Sequence, residues 1–180
     1  MHRLFVALRP PPDIRRRLEA PMGGVPQARW QDDEQLHLTI RYIGEVDRPM
    51  AEDIALALSQ VHVVSPRVAI AGVGAFDKKG RVDALWAGIA PPDELARLHK
   101  KVDQALVRLG LAPEGRAYLP HITLARLPRA AGTSPAIDCW IADHAALSSK
   151  PFGFGHLILY ESHLTGDGAR YEPVARWALG

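Results

Sequence analysis

An internal repeat is the feature of this 180-residue sequence that most restricts its fold. The predicted order strand, helix, strand, helix, strand occurs twice, once in each half of the chain. The middle strand of each copy carries a histidine, and His37 and His121 are 121 − 37 = 84 positions apart. The prolines that begin the next helices, Pro49 and Pro135, are 135 − 49 = 86 positions apart. Such a nearly constant offset indicates a duplicated unit.

Hydrophobic periodicity predicts the elements of this repeat. Alternating or β-branched runs indicate strands, and apolar residues three or four positions apart indicate helices. The clearest helix begins at Pro92 and Asp93 and ends at Gly110, because glycine commonly ends helices. Strands are predicted over residues 4–8, 36–43, 67–73, 81–89, 118–127, 154–164 and 170–177.

We therefore predict an α+β fold with two pseudo-symmetric lobes. Helices would cover the outer faces of two antiparallel sheets, and a central cleft would lie between the lobes. Hydrophobic residues make up 47% of the chain, which is enough for a substantial core. No proline-rich linker separates the halves, so residues 1–180 are expected to form one domain.

Composition restricts the protein class only mildly. The formal net charge of +2 is compatible with a phosphate-bearing ligand, but many other enzymes share it. Cys139 is the only cysteine, which argues against a disulfide-stabilised secreted scaffold, and its helical context predicts a buried or half-buried side chain. The apolar run near the N-terminus is too short for a signal peptide or a membrane span, so we expect a cytoplasmic protein.

Two short motifs are the candidate functional residues. Residues 37–40 read HLTI and residues 121–124 read HITL. Because side chains alternate across a strand, each histidine shares one face with the following threonine, Thr39 or Thr123. The intervening apolar residues face the other way, into the core. Two equivalent lobes would thus present two histidines and two threonines to one cleft.

These residue types suit the opening of a cyclic phosphodiester. The reaction needs a base to take a proton from water and an acid to protonate the departing oxygen, and histidine can do either near neutral pH. Threonine hydroxyls can hydrogen-bond the phosphoryl oxygens. Zinc binding by His37 and His121 is the rival interpretation, but neither motif has a carboxylate or cysteine at ligand spacing. We expect no metal and no cofactor.

Longer segments around these motifs resemble the LigT branch of the 2H phosphoesterase superfamily, the RNA 2′,3′-cyclic phosphodiesterases also described as 2′-5′ RNA ligases. The resemblance covers nearly the whole chain. It is carried by the opening strand at residues 3–8, the two motifs at 36–46 and 120–126, the central hairpin at 72–76 and 85–88, and the closing hairpin at 161–164 and 171–172. Asp77 departs from the family, whose members often have proline there.

This resemblance implies hydrolysis of a 2′,3′-cyclic phosphate to a 2′-phosphate. It also implies that His37 protonates the leaving 3′ oxygen and that His121 activates water, roles that the symmetric motifs alone do not distinguish. Three further residues are candidate substrate contacts: Arg126, which needs a bulge or a strand end to turn it toward His121, Arg41, which shares the His37 face by alternation, and Phe76, which is suited to stacking on a base.

Two alternatives to this activity remain open. The protein could be a phosphodiesterase or 2′-5′ ligase that acts on another small cyclic or 2′-5′ linked nucleotide, or it could bind nucleotides without turnover. The expected partners are RNA ends or nucleoside 2′,3′-cyclic phosphates, with no membrane and no obligate protein partner, and we expect a monomer. The proposed pair requires that His37 and His121 lie within roughly 10 Å of each other, so that both reach one phosphate.

Overall fold

The computed structural model describes all 180 residues. Four helices pack on antiparallel strands, which confirms the α+β class. The strands are β1 (His2–Leu8), β2 (Arg29–Trp30), β3 (Leu38–Val46), β4 (Ala69–Lys78), β5 (Arg81–Ala90), β6 (His121–Arg126), β7 (His156–Thr165) and β8 (Gly168–Ala178). The helices are α1 (Pro12–Glu19), α2 (Arg48–Ser59), α3 (Asp93–Val107) and α4 (Pro135–Asp143).

Two helices begin at a side-chain cap just before the prolines that the sequence predicts as helix starts. The Asp47 carboxylate accepts a hydrogen bond from the Met50 N–H at 2.9 Å and so caps α2. Ser134 caps α4 in a similar way, through the N–H of Ala136. The predicted apolar face of α3 is buried. None of the four helices has the length and hydropathy needed to cross a membrane.

Cys139 is exposed, and the prediction of a buried or half-buried side chain is wrong. The inward residues of α4 are Ile137 and Trp140. Each residue turns a helix by about 100°, so a side chain two positions after Ile137 points about 200° away from it. Cys139 therefore lies on the solvent side of the helix.

The strands form one continuous sheet in the order β4-β5-β6-β3-β1-β7-β8, with β2 beside β6. The prediction of two separate sheets is wrong. Strands β3 and β6 pair at Leu38 and Ile122, and this pairing joins the strands β4-β5-β6 to the strands β3-β1-β7-β8. The last strand of each predicted repeat also crosses over: β4 pairs with β5, and β7 pairs with β1. Each side of the sheet thus contains strands from both halves of the chain.

The two faces of this sheet differ in burial. One face is covered by a hydrophobic cluster of 32 buried residues, to which all four helices contribute. The opposite face carries a cluster of only four buried residues, Phe5, Ala7, Ile158 and Tyr160. We call this second surface the open face. The absence of helices there leaves strand side chains accessible to a ligand.

Candidate active site

The two motifs meet at the single point where β3 pairs with β6. Leu38 lies opposite Ile122, and both are completely buried in the main core. In an antiparallel pair this register places His37 opposite Thr123 and Thr39 opposite His121, on the open face. Diagonal neighbours across such a pair are typically about 7–8 Å apart, and the charge of a protonated His121 acts on the pKa of His37, as expected for near neighbours on one face. The structure thus brings together all four motif residues.

Backbone carbonyls define which nitrogen of each imidazole carries a proton. The Nδ1 atom of His37 lies 2.7 Å from the Gln35 oxygen, and that of His121 lies 2.8 Å from the Leu119 oxygen. Because a carbonyl oxygen only accepts, Nδ1 donates in both cases and Nε2 is left for the site. The Nε2 atom of His37 lies 3.0 Å from the Thr39 hydroxyl, whereas that of His121 has no protein partner.

Aromatic side chains enclose His37 on the open face. Its ring centre lies 4.9 Å from that of Phe5 and 5.0 Å from that of Tyr171, which meets it edge-on. Burial lowers the pKa of His37 to about 4, and the positive charges of Arg126 and of a protonated His121 act in the same direction. The folded protein therefore holds His37 neutral near pH 7.

His121 has its own aromatic wall. The ring of Phe76 meets it edge-on with centres 4.8 Å apart, and the ring centre of Trp86 lies 6.1 Å away. Burial lowers the pKa of His121, and the charge of Arg126 lowers it further. The structure thus places Phe76 beside the second motif, and its contact with substrate stays a prediction. No group of three or more His, Cys, Asp or Glu side chains is arranged to hold a metal ion.

The low pKa of His37 predicts a pH-dependent stability. An unfolded histidine takes up a proton near pH 6.5, whereas His37 in the folded protein does so only near pH 4. As the pH falls through this window the unfolded state gains protons first, so stability is lost with decreasing pH. We expect a slope of about 1 kcal/mol per pH unit from this group. Urea unfolding at several pH values measures it.

The matched control for this measurement is a His37→Asn variant. Its slope between pH 6.5 and pH 4 should be smaller than that of the wild type, because its side chain at position 37 does not titrate. Inorganic phosphate should also reduce the wild-type slope, since an anion between two imidazoles favours their protonated forms. Equal slopes in the two proteins would contradict the assignment to His37.

A β-bulge follows the threonine in both motif strands. On β3, Ala7 of β1 pairs with Thr39 and Val6 pairs with Arg41, which leaves Ile40 without a partner. On β6, β5 pairs with residues 123 and 125, which leaves residue 124 without one. An extra residue reverses the alternation of all the side chains after it. Both strands therefore switch faces one position after the threonine.

The bulge in β6 turns Arg126 toward the site. Ala125 is buried in the main core, and the exposed Arg126 follows it on the open face. Its positive charge adds to the lowering of the pKa of His37 and of His121 that burial causes, and it partly opposes the rise that burial causes in the pKa of Tyr171. The expectation that a bulge redirects Arg126 is thus confirmed, and its guanidinium is a cation beside both imidazoles.

The bulge in β3 turns Arg41 away from the site, and the prediction that this residue contacts substrate is wrong. Arg41 is 8% exposed and lies on the helix-covered face. Its Nε donates to the Asp103 carboxylate at 2.8 Å, and a terminal nitrogen donates to the Ala112 oxygen at 2.6 Å. Burial raises the pKa of Asp103, but hydrogen bonds from Arg41 and Glu114 outweigh this and lower it overall. Arg41 is thus held by an ion pair.

An Asp103→Ala substitution tests this structural role. It would leave the Arg41 guanidinium buried without its carboxylate, which should cost about 3 kcal/mol of unfolding free energy. The catalytic rate of the folded fraction should change little. Asp53→Ala, at an exposed residue of α2, is the matched control. Urea unfolding and activity at low temperature measure both effects, and an activity loss without a stability loss would return Arg41 to the site.

Sequence reasoning did not identify three aromatic residues that touch the histidines. Phe5 and Tyr171 lie against His37, and Trp86 is the cross-strand partner of Thr123. These residues lie on the first, last and fifth strands, so no local spacing relates them to either motif. Their alternation with core residues indicates only that they lie on the open face of the sheet.

The fold and this site define a known class of protein. The family model of the 2′-5′ RNA ligase superfamily matches residues 6–165, and the chain belongs to this family. Similar relatives include the RNA 2′,3′-cyclic phosphodiesterase of Aeropyrum pernix, 31% identical over 84% of this chain and 85% of that protein. The protein of the same name from Archaeoglobus fulgidus is 31% identical over 96% and 97%.

Solved structures show the same relationship. The crystal structure of Escherichia coli LigT complexed with 3′-AMP is 25% identical to this chain, with a TM-score of 0.77. The match covers 99% of this chain and 98% of that chain. A crystal structure described as a phosphoesterase matches equally widely, with a TM-score of 0.78 at 25% identity over 99% of this chain and 98% of the other. The similarity therefore extends over the whole fold.

Proposed function

We propose that this protein is an enzyme that hydrolyses 2′,3′-cyclic phosphate ends of RNA to 2′-phosphomonoesters. The observation that carries the proposal is the square of two histidines and two threonines formed where β3 meets β6. It has the acid, the base and the hydroxyl donors that the reaction needs. The relatives named RNA 2′,3′-cyclic phosphodiesterase match nearly the whole chain, which supports the same activity here.

We propose that His121 acts as the base and His37 as the acid. The Nε2 atom of His121 takes a proton from water as the water oxygen bonds to phosphorus. The bond from phosphorus to the 3′ oxygen breaks, and the Nε2 atom of a protonated His37 supplies the proton for that oxygen. The family resemblance implies this division. It is supported by the unpartnered Nε2 of His121, which is free to accept, and by the Thr39 hydroxyl beside Nε2 of His37.

The depressed pKa of His37 fits a donor that is charged only with substrate bound. Burial in the folded protein keeps the imidazole neutral near pH 7. A phosphate anion between the two histidines would favour its protonation, and an imidazolium in an apolar setting releases its proton readily. No metal ion is needed in this mechanism, because the two imidazoles carry both proton transfers.

The remaining residues would bind the phosphate and the nucleoside. We propose that Thr39 and Thr123 hydrogen-bond the phosphoryl oxygens and that Arg126 offsets the charge that develops on them, which their position beside the histidines supports. We propose that Phe76 stacks on a base, which its partly exposed ring beside His121 supports. These four residues complete the proposed substrate site.

We also propose that the fold is a duplicated, two-lobed unit in which residues 1–180 act as one domain. The sheet order supports the duplication, because β6 and β3 are central, β5 and β1 flank them, and β4 and β7 lie outside these. Both motif strands carry the bulge at the same position. All residues of the proposed site come from one chain, so a monomer suffices.

The direct test is incubation with a nucleoside 2′,3′-cyclic phosphate in the presence of EDTA. We expect turnover that EDTA does not reduce, and a product identified by NMR as the 2′-phosphate. A 3′-phosphate product would contradict the proposed roles of the histidines, and loss of activity on chelation would contradict the metal-free mechanism. Binding without turnover would instead favour a nucleotide-binding module.

A further inference from the structure

Two arginines face each other at the edge of the proposed site. The short strand β2 pairs with β6 so that Arg29 lies opposite Arg126 and Trp30 lies opposite Ala125. Trp30 and Ala125 pack in the main core, so Arg29 and Arg126 both point to the open face. Residues directly opposite in an antiparallel pair have Cβ atoms about 4.5–5.5 Å apart. The two positive side chains are therefore close neighbours.

Nothing in the protein neutralises this pair. Arg29 and Arg126 are both exposed, and neither makes an ion pair or a side-chain hydrogen bond. Like charges directly opposite each other destabilise a sheet unless an anion lies between or beside them. Two guanidinium forks on one face can donate together to phosphate oxygens. This arrangement costs stability in the free protein and favours an anionic ligand.

The other end of the site has the opposite charge. Beyond Tyr171, on the His37 side, lies a cavity of about 530 Å³ between the β7–β8 hairpin and residues 32–35. Its lining includes one arginine and four carboxylates, at Asp32, Glu34, Asp167 and Glu172. A nucleic-acid backbone would be repelled there and attracted to the arginine side. Charge thus distinguishes two directions in which a chain could leave the site.

We propose that Arg29, beside Arg126, binds the phosphodiester that links the terminal nucleotide to the rest of an RNA chain. The inference rests on the proposed function and deepens it: the preferred substrate is an oligonucleotide with a cyclic phosphate end, not a mononucleotide. Arg126 lies next to the histidines, and Arg29 lies opposite it on β2, which pairs with the same edge of β6 as β3 because β5 occupies the other edge. The reacting phosphate lies between the two histidines, and the next phosphate along the chain reaches Arg29.

The test compares two substrates with the same terminal base. One is a nucleoside 2′,3′-cyclic phosphate and the other is a dinucleotide that ends in the same group. We expect wild-type kcat/KM to be higher for the dinucleotide, and an Arg29→Gln substitution to reduce the ratio of the two kcat/KM values about 5-fold. The slope of log kcat/KM against log salt for the dinucleotide should become shallower by about 0.7, as for one lost single-strand phosphate contact.

Two further variants separate phosphate binding from folding. Arg16→Gln removes the same charge from an exposed position on α1 and should leave the ratio unchanged. Arg29→Glu should reduce the ratio more than Arg29→Gln while raising Tm, because a carboxylate opposite Arg126 replaces a repulsion with an attraction. A merely structural role for Arg29 would not move activity and stability in opposite directions.

Each outcome has a definite meaning. If the wild type opens both substrates and Arg29→Gln leaves their ratio unchanged, or Arg16→Gln reduces it equally, the inference is wrong and the proposed function stands. If the wild type opens neither substrate, the proposed function and the inference both fail. A ratio that falls only in the Arg29 variants, with the shallower salt dependence, supports the second phosphate site.

Discussion

The His37→Asn and His121→Asn variants are each expected to lose about 10³-fold in kcat toward a 2′,3′-cyclic phosphate, as for the loss of a general acid or base. Asparagine is preferred to alanine because its amide can keep the hydrogen bond to the backbone carbonyl of Gln35 or Leu119. The fold should therefore be preserved. Steady-state kinetics with a chromatographic product assay, together with Tm, checks the prediction.

The double variant and a distant histidine make this prediction sharper. Residues that act in one concerted step are not additive, so the double variant should be much less impaired than the product of the two single losses. His62→Ala, at an exposed residue with no side-chain partner, should retain wild-type activity. A single variant that keeps a tenth or more of the wild-type kcat would remove that histidine from the mechanism.

Arg126→Gln is expected to reduce kcat/KM about 10²-fold and to shift the pH profile toward higher pH. The rate falls because a cation beside the developing phosphoryl charge is lost. The profile shifts because the positive charge of Arg126 lowers the pKa of both His37 and His121, and its removal lets both values rise. The measurements are kcat/KM against pH and NMR titration of the two imidazoles.

Arg126→Lys is the matched variant for this test. Lysine keeps the positive charge but not the planar fork, so the pH profile should stay near that of the wild type while part of the rate is lost. If Arg126→Gln lowered the rate with no shift of either histidine pKa, the guanidinium would act only on the substrate. A shift toward lower pH would contradict the proposed effect of the Arg126 charge on the two histidines.

Much of the fold is predictable because its signals are local. The apolar face of α3 repeats every three or four residues, and the structure buries Leu95, Leu98, Val102 and Leu106 as that spacing predicts. The caps Asp47 and Ser134 mark the starts of two helices. Strand β2 is different, because two residues are too few for any periodicity and only pairing with β6 makes them a strand.

The arrangement of the strands is less predictable, because pairing depends on residues far apart in the chain. A linear repeat suggests that each copy builds its own sheet. The structure instead pairs β4 with β5 and β7 with β1, and it joins the two sides through Leu38 and Ile122. The sequence of a hydrophobic strand does not specify which neighbouring strand will satisfy its backbone hydrogen bonds.

The sequence by itself determined that His37 and Thr39 share a face, as do His121 and Thr123, because alternation along a short stretch of strand is a local property. It also predicted, through the repeat, that the two pairs meet. Only the tertiary structure decided to which face of the sheet Arg126 and Arg41 point. A bulge forms where a partner strand skips a residue, and this turns Arg126 toward the histidines and Arg41 into the core. Register between strands is a property of the pair, which one strand's sequence does not contain.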